Sequence, residues 1–199
     1  MKNTSASLAT IVLALVLTGC AGVNFKRPEP SSLTVGKSTS SDVIAQMGTP
    51  TATCETTKNA HKIKGLGYSY AEKGITAART DVITARSMYF SIFNDILVGK
   101  QFLSTFKEDI TEFDETKTPQ IIKGKTTRDD VVKLLGAPSG EAIFPIIKTL
   151  GESAINYRYV QGRMPLLFGG MIIYSKTLTV SLDSANVVSD VELTVSGEK

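Results

Sequence analysis

The sequence predicts an α+β fold of two tandem repeats, each with one or two short helices packed on a three- to four-stranded antiparallel sheet. Three observations predict it: a stretch that recurs 88 positions later, helix start and stop signals in both copies, and β-rich runs after each copy. The predicted boundaries are 1–19 for a leader, 20–32 for a tether, 33–114 for the first repeat and 119–199 for the second.

The first twenty residues predict a secretory leader that ends at a lipid attachment site. Lys2 precedes an apolar run at residues 8–17, which is shorter than the roughly 20 residues that span a bilayer. The following "LTGC" resembles the lipobox of bacterial lipoproteins, in which the cysteine becomes the first mature residue and carries the lipid. We therefore expect acyl chains on Cys20 to hold the protein at a membrane. An ordinary signal peptide with an incidental cysteine is the alternative.

Residues 20–32 predict a tether between the lipid and the first folded unit. Two prolines stand among small and polar side chains in this segment, a composition typical of a linker. A dozen extended residues reach at most about 40 Å. The folded part is therefore expected close to the membrane.

Composition excludes several classes of function. The chain has 22 Lys and Arg residues against 19 Asp and Glu residues, a balance that argues against a nucleic-acid partner. With Cys20 taken by lipid, Cys54 has no disulfide partner, and we predict a half-buried strand residue there in preference to a reactive thiol. His61 is predicted to be a solvated loop residue. The sequence has no zinc-ligand pair, P-loop or dinucleotide fingerprint, so no enzymatic activity, metal or small-molecule cofactor is predicted.

The repeated stretch predicts one amphipathic helix in each copy. Residues 33–51 and 121–139 are identical at seven of nineteen positions, and apolar residues recur on one helical face. A hydroxyl side chain precedes each apolar run, acidic residues follow in the first turn, and a glycine and a proline end each run. The assigned residues are Ser38 and Thr126 as N-caps, Asp42, Asp129 and Asp130 in the first turns, and Gly48 and Gly136 after the last turns.

The segments after each helix predict antiparallel strands joined by tight turns. Runs rich in β-branched and aromatic residues are interrupted by "ND" in the first copy and "DSAN" in the second. The acidic, proline-ended stretch 107–120 is the predicted boundary between the copies. The predicted strands are residues 67–71, 85–93, 97–106, 154–160, 172–182 and 187–195.

Two Tyr-x-Tyr pairs and one apolar segment are candidate contact sites. The tyrosines of each pair point to one face of their strand, where they either pack beneath the helix of the repeat or contact a partner. Residues 164–175 predict either a β-hairpin whose second arm enters the core or an exposed loop that touches lipid or a partner. The candidate partner contacts are Tyr68, Tyr70, Tyr157, Tyr159, Leu166, Leu167 and Phe168.

The run Gly-x-Ser/Thr-x₄-Val-x₄-Gly-x-Pro, at residues 36–50 and 124–138, resembles the signature of the SmpA/OmlA (BamE-like) outer-membrane lipoprotein family. The resemblance implies two short helices followed by a three-stranded sheet in each unit, and a tandem pair resembles the β-lactamase inhibitor protein fold. It also implies a role near the machinery that inserts β-barrels. Ala21, where an aspartate would imply retention at the inner membrane, implies sorting to the outer membrane of a Gram-negative host.

The predicted function is that of a lipid-anchored interaction or scaffold protein. It would lie at the outer membrane, face the periplasm, bind an unidentified envelope protein and support outer-membrane protein assembly or envelope integrity. The alternative is an inhibitor or binder of a periplasmic enzyme, acting through the sheet face formed across both repeats.

Overall fold

A computed structural model of the protein describes residues 22–72, 82–163 and 171–198. Within these residues, eight strands form one antiparallel sheet in which each strand pairs with the next along the chain. The strands are β1 Ala52–Lys58, β2 His61–Glu72, β3 Thr84–Phe93, β4 Ile96–Ser104, β5 Gly140–Ile143, β6 Ser153–Arg163, β7 Ile172–Leu182 and β8 Val188–Ser196.

Two short α-helices, α1 Ser40–Met47 and α2 Arg128–Leu135, occupy the predicted positions. Their N-caps are Thr39 and Thr127, one residue after the predicted Ser38 and Thr126. Each threonine forms a capping box with the aspartate three residues later, Asp42 or Asp130, so Asp129 is not the reciprocal partner. The shift arises because Ser38 and Thr126 instead accept the backbone N–H groups of residues 34 and 122. A 3₁₀ helix, Glu115–Gln120, precedes α2.

The predicted fold class is wrong. The prediction was two α+β repeats, each with one or two helices packed on a three- to four-stranded sheet, and the sequence left open whether the strands form one continuous sheet. In the structure, β4 and β5 pair through three residue pairs, here called the seam, and join all strands into one eight-stranded sheet. Among the described residues, each eight-residue α-helix contributes one fully buried side chain, Val43 or Val131, so strands dominate the fold. The sequence does not reveal the continuous sheet, because β5 has four residues, two of them small, and carries no strand pattern of its own.

The sequence repeat is present as paired features of this one sheet. The β3–β4 hairpin turns at Asn94 and Asp95, both with positive φ, and the β7–β8 hairpin turns at residues 183–187, as predicted. Each hairpin has a register shift near its tip, and a β-bridge joins each hairpin to the N-cap threonine of its helix. The helices are thereby fixed over equivalent places in the two halves.

The sheet has one covered face and one open face. Both helices lie on the covered face, where alternate residues of the strands form two apolar clusters. No described helix lies on the opposite, open face. The first cluster is Leu33, Val43, Leu66, Tyr68, Met88, Phe90, Ile92, Leu97 and Phe102. The second is Phe113, Ile121, Val131, Ile155, Tyr157, Leu178, Val180, Leu182 and Val188.

An ion pair spans the seam between the two clusters. Lys100 of β4 lies 3.0 Å from Glu141 of β5, and Arg128 of α2 lies 3.5 Å from the same carboxylate. The Lys100 ammonium also donates to the carbonyl of Leu33 at 2.6 Å. Because these groups are partly shielded from water, their attraction is screened less than that of exposed pairs. The pair therefore ties both halves to the chain that enters α1.

Residues 22–33, here called the strap, lie across the covered face instead of forming the predicted tether. The Phe25 carbonyl accepts a hydrogen bond from Arg86 at 2.7 Å. Arg27 donates to the Pro138 carbonyl at 2.6 Å, across to the second half of the sheet. The composition of this segment is typical of a tether, but it does not distinguish a tether from a bound segment. Prolines and polar residues also suit a segment that donates few hydrogen bonds to a sheet and is held in place by side chains.

The acidic stretch predicted as a boundary is bound to the sheet by two buried cations. Arg86 of β3 pairs with Glu108 at 2.7 Å and lies 4.0 Å from the ring centroid of Phe106. Lys176 of β7, which is 2% exposed, donates to the Phe113 carbonyl and lies 4.8 Å from the ring centroid of that residue. Glu115 supplies the carboxylate that pairs with Lys176.

The two cations occupy equivalent places in the repeat. Phe25 and Phe113 stand 88 positions apart, and the carbonyl of each accepts from a buried cation of the adjacent sheet half, Arg86 or Lys176. The duplication therefore extends on the N-terminal side of residues 33 and 121, where the sequences themselves show little identity.

Replacing Lys176 with Met is expected to lower the free energy of unfolding by about 3 kcal/mol, because it leaves the Glu115 carboxylate without its buried partner. The matched control is Lys123→Met. Lys123 pairs with Asp190 on the surface, where both side chains are at least 60% exposed, so its loss is expected to cost less than about 1 kcal/mol. Urea unfolding measures both. Equal losses would contradict the assigned role of Lys176.

Candidate functional site

Tyr68 and Tyr157 support the ends of the two helices. The Tyr68 hydroxyl donates to the Gly48 carbonyl at 2.9 Å, and the Tyr157 hydroxyl donates to the Gly136 carbonyl at 2.8 Å. These carbonyls follow the last helical turn, where backbone acceptors lack helical partners. Burial raises the pKa of Tyr68 and raises that of Tyr157 to about 12. Both rings belong to the apolar clusters, which favours packing over partner contact.

The remaining tyrosines of the two pairs also lie on the covered face. Tyr159 is 1% exposed and donates to the Gln161 side-chain oxygen at 3.0 Å. Tyr70 is half-buried and stacks on Phe106 with the ring centroids 6.0 Å apart. Their positions do not favour the partner contacts predicted for them. Cys20, Leu166, Leu167 and Phe168, the other candidate residues, lie outside the described residues.

The open face presents one residue from every strand in a continuous row. Each residue of the row is paired in register with the row residue of the neighbouring strand. The pairing holds across all seven contacts between strands, from β1 at one edge of the sheet to β8 at the other. At about 4.8 Å per strand, the row crosses roughly 34 Å of sheet. We call it the central row, and its members are Ala52, Gly67, Tyr89, Gln101, Gly140, Asn156, Thr179 and Glu192.

Small residues surround Tyr89, which has the largest side chain of the central row. The Tyr89 ring crosses over Gly65, where an added Cβ would meet the hydroxyl oxygen at 2.0 Å, and the hydroxyl comes 3.3 Å from the Cys54 sulfur. Burial, followed by the contact with Cys54, raises the pKa of Tyr89 to about 12. Cys54 is exposed on β1, so the prediction of a half-buried residue is wrong. Gly65 is required by this close approach.

His61 is the first residue of β2, so the prediction of a solvated loop residue is wrong. Its ring meets Phe93 and Phe144 edge to face, with centroids 5.0 and 5.1 Å apart. Phe144 starts residues 144–152, a loop that lies over one end of the open face. There, an added Cβ on Gly99 would approach Ile146 to 3.4 Å. The histidine packs this loop against the tip of the β1–β2 hairpin.

The other end of the open face holds an apolar groove with a cavity of about 350 Å³, near the lower end for small-molecule sites. It forms where β3 and β6 meet directly beyond the ends of β4 and β5, through the Ile83 N–H and the Gly162 carbonyl at 2.9 Å. Met171 and Ile173, at its rim, belong to the segment 164–175 for which a hairpin was predicted. The main side chains of the groove are Ser69, Ala71, Ile83, Leu103, Met171 and Ile173.

The central row and the groove were both missed from the sequence. Tyr89, Gln101 and Asn156 stand at alternate positions of three predicted strands, but their alignment in one row depends on the seam. The sequence does carry one signal of the central row, which is the alternation of residues along a strand. The residue next to each apolar residue of the covered face must point to the open face.

Among the described residues, no group of three His, Cys, Asp or Glu side chains is placed to hold a metal ion. No described helix is both long and apolar enough to cross a bilayer.

The fold and its surfaces define an antiparallel-sheet protein with one covered and one open face. No protein-family model matches the chain, and no curated protein matches it. It is similar to the crystal structure of a candidate beta-lactamase inhibitor protein from Streptococcus mutans, with 10% identity and a TM-score of 0.44 over 92% of this chain and 96% of the other. A likeness this weak carries no argument about function. The resemblance to the SmpA/OmlA family stays a prediction.

Stability is expected to fall from pH 10 toward pH 12 more steeply in the wild type than in Tyr157→Phe. The folded-state pKa of Tyr157, about 12, lies above its ordinary value of 10.0, so its contribution is complete below pH 10 and is lost as the pH rises. At neutral pH the variant is expected to lose about 1 kcal/mol through the missing bond to the Gly136 carbonyl. Urea unfolding along a pH series tests this, and identical alkaline slopes would refute it.

Proposed function

We propose that this chain is a lipid-anchored, non-enzymatic interaction protein of the cell envelope that holds a protein partner on the open face of its sheet. The central row carries the proposal. It places one residue from each of eight strands, six of them with a side chain, on a surface that no described helix covers. Its breadth of roughly 34 Å suits an interface of ordinary size, about 800 Å² on each partner.

The chemistry of the open face supports a protein partner. Tyr89, Asn156 and Thr179 are half-buried there, among Ser, Thr and Gly residues of the neighbouring rows. Tyrosine supplies a large contact area with little loss of conformational freedom, whereas Ser, Gly and Asn supply adaptable hydrogen bonds. Such a face recognises a folded surface through shape and many polar contacts, without a deep ligand pocket.

Anchoring by Cys20 would place this face in the periplasm. The leader and "LTGC" support lipidation, and Ala21 supports the outer membrane of a Gram-negative host. The role that follows is that of a scaffold that supports outer-membrane protein assembly or envelope integrity.

Crosslinking in intact cells, recovery of the tagged full-length protein and mass spectrometry of the eluate test the proposal. Outer-membrane proteins in the eluate would support the scaffold role. A single soluble enzyme in stoichiometric amount, with its activity lowered by the purified protein, would make the chain an inhibitor instead. An eluate without any enriched protein would contradict both.

Asn156→Arg and Thr179→Arg are each expected to reduce partner recovery about tenfold, because a long charged side chain in the central row separates the two surfaces by several ångströms. The control is Gln46→Arg, an exposed position of α1 on the covered side, which is expected to recover the partner like the wild type.

Circular dichroism melting of these variants excludes misfolding as the cause. Full recovery by both open-face variants would move the partner site away from the central row. Equal loss in the Gln46→Arg control would do the same.

A further inference from the structure

The strap places the lipid attachment site close to one end of the sheet. Gly22 is packed against β2, where an added Cβ would come within 1.9 Å of the Ser69 carbonyl oxygen and 3.4 Å of the Tyr70 Cα. A chain spans at most about 3.6 Å per residue, so the two-residue connection between a lipid on Cys20 and Gly22 can cover at most roughly 7 Å. A lipid on Cys20 therefore holds the end of the sheet that contains Ser69 at the membrane surface.

The apolar groove opens at this same end. Ser69 and Tyr70, which Gly22 contacts, are also part of its wall. Met171 is 55% exposed and Ile173 is 51% exposed at the rim, although both are large apolar side chains. Exposed apolar side chains at the rim of an apolar concave site form the kind of surface through which proteins contact membranes or partners.

The groove presents no free charge within the described residues. Arg86 is its one charged lining residue, and the guanidinium is bound on the covered face by Glu108 and Asp109. The Thr105 hydroxyl donates to the Ile83 carbonyl at 2.8 Å and is likewise engaged. An apolar medium can therefore cover the groove without removing water from an unpaired ion.

The opposite end of the sheet carries polar hairpin turns. Polar turns end the β1–β2 and β3–β4 hairpins there, at Asn59 and at Asn94–Asp95. Strands of ten or more residues separate these turns from the groove by roughly 30 Å. Within the described residues, these two turns are polar and the groove rim is apolar, and the loop 144–152 at the turn end also exposes Leu150.

We propose that the groove end of the sheet is the membrane-contacting surface of the protein, and that the bilayer which holds Cys20 covers the groove. This inference rests on the lipid anchoring in the proposed function. It adds an orientation: the strands stand on the membrane, the polar turns point away from it, and the central row faces sideways.

The test uses the full-length lipidated protein in vesicles of phosphatidylethanolamine with a minor share of phosphatidylglycerol. In a Cys54→Ser background, a fluorescent label is attached to Ile173→Cys at the groove rim. The matched control is Leu150→Cys, an apolar position that is 79% exposed in the loop at the opposite end. With nitroxide-labelled lipid present, the label at 173 is expected to lose most of its emission and the label at 150 to keep it.

Ala71→Cys, exposed on β2 at the groove, is a second label that guards against a local effect of the Ile173 change. Equal quenching at 71, 150 and 173, or stronger quenching at 150, would overturn the proposal. Protection of the label at 173 in cell membranes but not in vesicles would show that an envelope protein covers the groove, and would also overturn it. Mass spectrometry of the purified protein reports separately whether Cys20 carries lipid, so failure of the anchoring is distinguished from failure of the orientation.

Discussion

Three residue pairs between β4 and β5 make the open face a single surface. The seam is short, and Gly140 lets the strands approach closely there: an added Cβ would lie 2.6 Å from both the Lys100 carbonyl and the Gln101 side-chain oxygen. On the covered face, the Lys100–Glu141 ion pair spans the same junction at 3.0 Å. Without this pairing, the strands on either side would present two narrow faces, and the central row would end at Gln101.

The covered face shows how the seam is reinforced. Two chain segments that precede the helices, the strap and the stretch ending in the 3₁₀ helix, cross the strands and are bound by Arg86 and Lys176. Each cation lies under an aromatic ring and takes a backbone carbonyl as acceptor, so its burial is compensated by specific contacts. Arg27 extends from the strap to Pro138 and links the halves once more. Side-chain bonds to these two irregular segments therefore supplement the three residue pairs of the seam.

Local features were predictable and long-range ones were not. The helices and hairpin turns carry their signals in adjacent residues, and the helix caps were misplaced by one residue because Ser38 and Thr39 are both hydroxyl residues. The seam depends on pairing between residues 39 to 43 positions apart, and "GEAI" carries no signal of it. The open-face site was missed for the same reason, since Tyr89 and Asn156 come into one row only through that pairing. The strap was misread because composition describes a segment in isolation and not its binding to Arg86.

The bound strap also determines which partners a lipid-anchored form can reach. A free linker of a dozen residues would let the body sample a hemisphere of about 40 Å radius, with a correspondingly low effective concentration at any one site. With residues 22–33 fixed to the sheet, the slack is two residues. The effective concentration of the protein then rises at partner sites that lie at one height above the bilayer, and it falls to zero at other heights. In such a lipid-anchored form, the anchor would select a partner by its distance from the membrane as well as by its surface.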